Sequence, residues 1–85
     1  MRHTCTANTD LDELIGIDAL PSGAHAFRYG PVPLAMRADE ELVLENSKAL
    51  TAPTAAKVRY LARDLFIAET QEHILPGTGF RLILA

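Results

Sequence analysis

Histidine and cysteine offer the widest range of chemistry in this chain, and they are few. His3 and Cys5 form an H-x-C pair, while His25 and His73 lie far from it in the sequence. Both residue types bind zinc, but structural zinc sites have paired spacings such as C-x-x-C or H-x-x-x-H. The sequence has no such pair. We therefore predict no metal site and no cofactor.

Cys5 has a second possible role, as a nucleophile with His25 or His73 as its base. A reactive thiolate needs nearby cations or a helix N-terminus, and Arg2 is the only cation close in sequence. A small enzyme or metal protein that uses Cys5 and His3 therefore stays an alternative. The sequence predicts no catalytic residue.

Two further patterns suggest ligands but fit them poorly. Gly77-Thr78-Gly79 is a G-x-G, yet a phosphate loop needs its glycines after a strand and before a helix, and here the predicted order is reversed. The aromatic stretch around Phe27 has too few basic residues to stack on single-stranded nucleic acid. We interpret it as a strand with Phe27 in the core, and we expect Arg28 and Tyr29 to contact a protein partner at its end.

Composition indicates one globular domain. The chain has 85 residues, 48% of them hydrophobic and 22% charged, which argues against disorder. We expect a single domain over residues 1–85, with 1–8 either flexible or an edge strand. The net charge of −3 and the lack of a basic run argue against direct nucleic-acid binding.

Localisation follows from what the sequence lacks. A single cysteine excludes an internal disulfide, and no apolar run approaches the ~18 residues of a membrane span. The N-terminal ten residues have no apolar signal-peptide core. We therefore predict a cytoplasmic protein with no membrane contact.

The first half of the chain predicts a short helix followed by strands. Thr9 or Asp10 can cap the helix, and Gly16 limits it to about two turns. Residues 20–23 (LPSG) predict a turn, and 24–29 alternate as a strand does. Residues 34–37 and 42–45 predict a hairpin, although the composition of 38–50 also permits a helix.

A long helix over about residues 54–69 is the main predicted element. Its core stripe contains Val58, Leu61 and Leu65, and a second apolar line contains Tyr60 and Ile67 on the opposite side. Residues 75–79 then interrupt the chain, and 80–85 (FRLILA) predict a mostly buried strand. The expected fold is an α+β two-layer sandwich, in which a mostly antiparallel sheet of three to four strands packs on this helix.

The second helix face predicts how the protein works. Tyr60 and Arg63 are adjacent on it, with Ile67 and Arg59 nearby, and Tyr and Arg are favoured as interface anchors. We therefore expect a small non-catalytic binding protein, such as an inhibitor, regulator or accessory subunit, of the compact kind carried by phages and plasmids. Its partner would be another protein, a second copy of the chain, or both.

An acidic inhibitor or mimic that blocks a nucleic-acid-binding protein is the other alternative. That function requires its acidic side chains to converge on one surface. The residues concerned are Asp10, Asp12, Glu13, Asp39, Glu40 and Glu41.

Overall fold

The computed structural model describes residues 1–18 and 27–85, which form an α+β structure of short elements. The strands are Arg2–Thr4 (β1), Gly16–Asp18 (β2), Phe27–Tyr29 (β3), Glu41–Glu45 (β4), Leu65–Ile67 (β5), Glu72–Ile74 (β6) and Arg81–Leu84 (β7). The helices are Leu11–Leu14 (α1), Pro31–Ala38 (α2) and Ala52–Leu61 (α3), with a 3₁₀ turn at Ser47–Ala49.

The main sheet has three parallel strands in the order β1-β4-β7. Two small antiparallel hairpins, β2-β3 and β5-β6, accompany it. The α+β class is therefore confirmed, but the prediction of a mostly antiparallel sheet is wrong. Parallel pairing arises because helical segments separate the three strands along the chain.

One face of this sheet forms the core. Leu42 and Leu44 of β4 are fully buried, and the helices cover them. Cys5, just after β1, is buried with them, and its backbone N–H donates to the Glu45 carbonyl at 2.8 Å. The opposite face carries Val43 and Ile83, which are half-buried and lie outside the core cluster.

Capping explains where two helices begin. The Asp10 side chain accepts a hydrogen bond from the Glu13 backbone N–H at 3.0 Å, as the sequence predicted for α1. Thr51 caps α3 by accepting from the Thr54 N–H at 3.3 Å, and Pro53 falls in the first turn, where a missing N–H costs nothing.

Residues 34–37 are not a strand but the second half of α2, so the predicted hairpin with 42–45 is wrong. Pro31 and Pro33 stand in the first turn, where prolines favour a helix start. Val32, Ala35 and Met36 are buried at the i, i+3, i+4 spacing of a helix face. Residues 42–45 do form a strand within β4, and the alternative helix over 38–50 is wrong.

The helix predicted over about 54–69 is present as far as Leu61, where α3 ends, and wrong beyond it, because residues 65–67 form β5. Leu65 and Ile67 are buried while Phe66 between them is exposed, which is the two-residue period of a strand. Strand β5 pairs with β6, a hairpin that the sequence analysis did not predict. The shorter helix α3 and the β5-β6 hairpin therefore replace the single long helix.

Two predictions fall outside the described residues: the turn over 20–23 and the first half of the strand over 24–29. Phe27–Tyr29, the second half, is a strand. Among residues 1–18 and 27–85, no helix combines the length and apolar character needed to cross a bilayer.

Candidate protein-binding groove

The outer edge of β7, one of the two edges of the main sheet, carries apolar side chains. Within the described residues, β4 is the only strand that pairs with β7. The Ala85 N–H donates to the Leu44 carbonyl at 3.0 Å. Because backbone groups alternate in direction along a strand, those of Arg81 and Ile83 also face β4, and those of Leu82 and Leu84 face outward.

The opposite edge of the sheet, along β1, is better protected. Strand β1 has only three residues, and its outward-facing backbone groups belong to Arg2 and Thr4. Short edge strands with charged or polar side chains discourage pairing with another chain. Strand β7 has one charge, Arg81, followed by three aliphatic residues. The unprotected edge is therefore that of β7.

A groove runs beside this edge, between β7 and α3. It consists of two adjoining cavities of about 400 and 690 Å³, and Arg59 lines both of them. We call this surface the α3–β7 groove. The first cavity lies between β7 and α3 and is lined mainly by Phe80, Leu82, Arg59, Ala62 and Arg63. The second lies at the carboxyl ends of the three parallel strands and is lined by Thr4, Glu45, Asn46, Ser47, Lys48, Ala55, Arg59, Leu84 and Ala85.

The α3–β7 groove is positively charged although the chain is acidic overall. Arg59 and Arg63 line it, and Lys48 lies at the end near Leu84. None of the ion pairs between described residues involves these three cations. Glu45, the acidic side chain in the lining, is 3.4 Å from Arg2. The groove therefore favours negatively charged ligands.

The predicted interface residues of the long helix do not share a face. Tyr60 is 75% exposed on α3, but Ile67 is 2% exposed, because it belongs to β5 and packs in the core. The predicted second helix face that contained both Tyr60 and Ile67 is therefore wrong. Arg59 and Arg63 keep their place at an accessible surface, now opposite β7.

The other two predicted interface residues lie on β3, away from the groove. Arg28 is exposed, whereas Tyr29 is half-buried and engaged within the fold. The Tyr29 hydroxyl donates to Glu72, and the Arg37 guanidinium lies 4.4 Å above the Tyr29 ring and pairs with Glu72. This cluster joins β3, α2 and β6, so Tyr29 has a structural role.

Cys5 lies in surroundings that oppose nucleophilic chemistry. The side chain has no exposed surface, and burial, with a smaller contribution from the negative charge of Glu13, raises the pKa of its thiol. His3 is 2.7 Å from Glu13, which also accepts a hydrogen bond from Thr9 at 2.9 Å. A deeply buried neutral thiol is typical of a structural cysteine.

The remaining polar groups form no recognisable centre. His73 pairs with Asp64 at the exposed side of the β5-β6 hairpin, far in sequence from His3, and His25 falls outside the described residues. Within the described part of the chain, no three His, Cys, Asp or Glu side chains are placed to hold a metal ion.

The six acidic residues considered for mimicry belong to two separate elements. Asp10, Asp12 and Glu13 are at α1, where Asp10 serves as the cap. Asp39 follows α2 and precedes the other two, which lead into β4. The structure thus gives no single acidic helix or strand.

Sequence reasoning missed Phe80, Leu82 and Leu84 as site residues because it treated 80–85 as a buried strand. Their exposure depends on β7 being the last strand of the sheet, which the strand order decides and the local pattern does not. No protein-family model, curated protein sequence or solved structure matches the chain.

Proposed function

We propose that this chain is a small, non-catalytic protein-binding module whose docking surface is the α3–β7 groove. One observation carries the proposal: an aliphatic strand edge with outward-facing backbone groups lies directly beside a groove. Edges of this kind bind extended segments of other chains through main-chain hydrogen bonds. Inhibitors, regulators and accessory subunits act in this way.

The chemistry of the side chains supports a binding role over a catalytic one. The only cysteine is a buried thiol, and the two open cavities that form the groove are lined by aliphatic, cationic and polar side chains. The Ser47 hydroxyl in this lining donates to the Ala85 carbonyl and not to a side chain that could act as a base. A reducing, cytoplasmic setting belongs to the same proposal.

A proline at Leu82 tests the proposal directly. Leu82→Pro removes an N–H that faces outward, so the internal ladder of the sheet stays complete. Leu82→Ala is the matched control, because it shortens the same side chain but keeps the N–H. Affinity capture from the native cell with the wild-type chain and both variants, compared by quantitative mass spectrometry, gives the measurement.

We expect the wild type and Leu82→Ala to retain a common partner and Leu82→Pro to lose it. Ile83→Pro serves as the opposite control, since the Ile83 N–H faces β4 and its loss should destabilise the fold. Equal retention by wild type and a folded Leu82→Pro variant would contradict the proposal.

A further inference from the structure

We infer that the occupant of the α3–β7 groove is an extended acidic segment of a partner protein, which adds to β7 as a further strand. This inference rests on the proposed function and specifies the ligand. Its carboxylates would face Arg59, Arg63 and Lys48, while its backbone pairs with β7.

The backbone geometry sets the length and form of the segment. Leu82 and Leu84 each direct one N–H and one C=O outward, and both side chains lie on the groove side of the sheet. A segment of about five to seven residues spans this edge at about 3.3 Å per residue. Alternate side chains of the segment then enter the groove, and the others point to the opposite face.

Charge complementarity selects an acidic segment. Arg59 and Arg63 line the cavity beside Leu82, and Lys48 and Arg59 line the second cavity, at the carboxyl end of β7. Within the described residues no carboxylate forms an ion pair with any of them. Carboxylates at alternate positions of an added strand would point to the side of the sheet on which these cations lie, and opposite charges there favour binding.

The same charges disfavour a second copy of the chain at this edge. If two β7 edges paired about a twofold axis perpendicular to the sheet, both α3 helices would lie on the same side of the joined sheet. Arg59 and Arg63 of each copy would then face those of the other across the joint, and like charges brought together there repel. A partner segment carrying the opposite charge avoids this repulsion.

Designed peptides test the inference without knowledge of the natural partner. The probe is the seven-residue peptide Thr-Glu-Thr-Val-Thr-Glu-Thr with blocked ends. One control replaces both Glu residues by Lys, and another keeps the sequence but is N-methylated on every backbone nitrogen. Binding is followed by NMR of the ¹⁵N-labelled chain at up to about 2 mM peptide, a range that detects weak strand addition.

We expect the acidic peptide to shift the Leu82 and Leu84 amide resonances and to slow their hydrogen exchange. The Lys and N-methylated peptides should leave both unchanged. Arg59→Glu should weaken binding of the acidic peptide by at least about fivefold, since a favourable exposed pair becomes a repulsive one. Lys57→Glu makes the same charge change at an exposed α3 position outside the groove and should have little effect.

Several outcomes would overturn the inference. The acidic segment would be rejected if the Lys and Glu peptides bound equally, or if no peptide shifted the amide resonances along β7. The Leu82→Pro experiment would still test the proposed function separately. Concentration-dependent protection of the Leu82 and Leu84 amides in the peptide-free chain would identify a second copy as the occupant. Shifts of the same amides by oligothymidylate but not by the acidic peptide would identify a nucleic acid.

Discussion

The Asp39 carboxylate accepts a hydrogen bond from the Gly79 backbone N–H at 2.9 Å. This contact ties the end of α2 to the loop that leads into β7. A Cβ at Gly77 or at Gly79 would collide with Asp39, so the loop can approach only without side chains at these positions. The G-x-G pattern therefore serves to position β7, and with it one wall of the groove.

Asp39→Ala should lower the free energy of unfolding by about 1–2 kcal/mol. The variant loses the hydrogen bond to Gly79 and places alanine at a left-handed position, where Asp39 has φ 57°. Asp39→Asn is the matched control, since it keeps an acceptor oxygen and asparagine tolerates this conformation. Urea unfolding of both variants provides the comparison, and equal losses would show that the hydrogen bond is unimportant.

Gly79→Ala should destabilise the fold by about 2 kcal/mol, which is in the range of overpacked positions. The added methyl group meets the backbone carbonyl of Asp39, which cannot move as a flexible side chain would. Thr78→Ala changes an exposed neighbour in the same loop and should have an effect below about 0.5 kcal/mol. Thermal unfolding distinguishes the two, and a mild effect of Gly79→Ala would mean that the loop can shift.

Ile67→Asp should unfold the chain, whereas Tyr60→Asp should not. Ile67 is 2% exposed in β5, so its replacement buries an unpaired charge. Tyr60 is 75% exposed on α3, and we expect a change of only a few tenths of a kcal/mol there. Far-ultraviolet circular dichroism of both variants measures this difference. If both variants stayed folded, the burial of Ile67 in β5 would be contradicted.

Stability should fall at alkaline pH because of Cys5. Its pKa in the folded chain is raised above the ordinary 9.0, so above that pH the unfolded chain loses a proton that the folded chain keeps. The contribution of the neutral Cys5 thiol to the free energy of unfolding is therefore fully present below the pKa that Cys5 has in the unfolded chain. It is lost as the pH rises towards and through the pKa of Cys5 in the folded chain. Cys5→Ala should remove this decline while lowering stability at every pH through the cavity it leaves. Urea titrations at pH 7 and pH 10 measure both, and parallel losses in the two chains would disprove the assignment.

The Tyr29 cluster should show measurable coupling. Arg37 is exposed and Glu72 is half-buried, and both contact Tyr29, so a double-mutant cycle with alanine should give a coupling free energy of about 0.5–1 kcal/mol. The same cycle between Arg2 and Glu45, which are more exposed, is the control and should give less. A coupling near zero in both would show that the cluster adds little to stability.

The sequence predicted those elements whose signals are local. The cap at Asp10, the proline in the first turn of α3 and the strands near 42–45 and 81–84 all follow from neighbouring residues. The sequence did not indicate where α3 ends. Leu65 and Ile67 match the two apolar lines of the predicted helix, and they also match a strand in which alternate residues are buried. Pairing with β6 decides between the two periods, and that contact involves other residues.

The candidate site was predicted only in part, for a similar reason. Arg59 and Arg63 are marked by residue type and helix position, and the structure keeps them at an open surface. Leu82 and Leu84 become site residues only because β7 is an edge strand, and no local pattern distinguishes an edge strand from a central one. The assignment of Ile67 to the interface was wrong because it required the helix to continue past Leu61, where α3 ends.

The central position of β4 has a kinetic consequence. It pairs with β1 and with β7 across separations of about forty residues each, so both contacts require large loops to close before they gain stability. Folding should therefore be slow for a chain of this size. The edge that we propose as the docking surface forms only after β7 has paired with β4. Under that proposal, folding intermediates without this pairing would not bind a partner, so partner binding would report on completed folding.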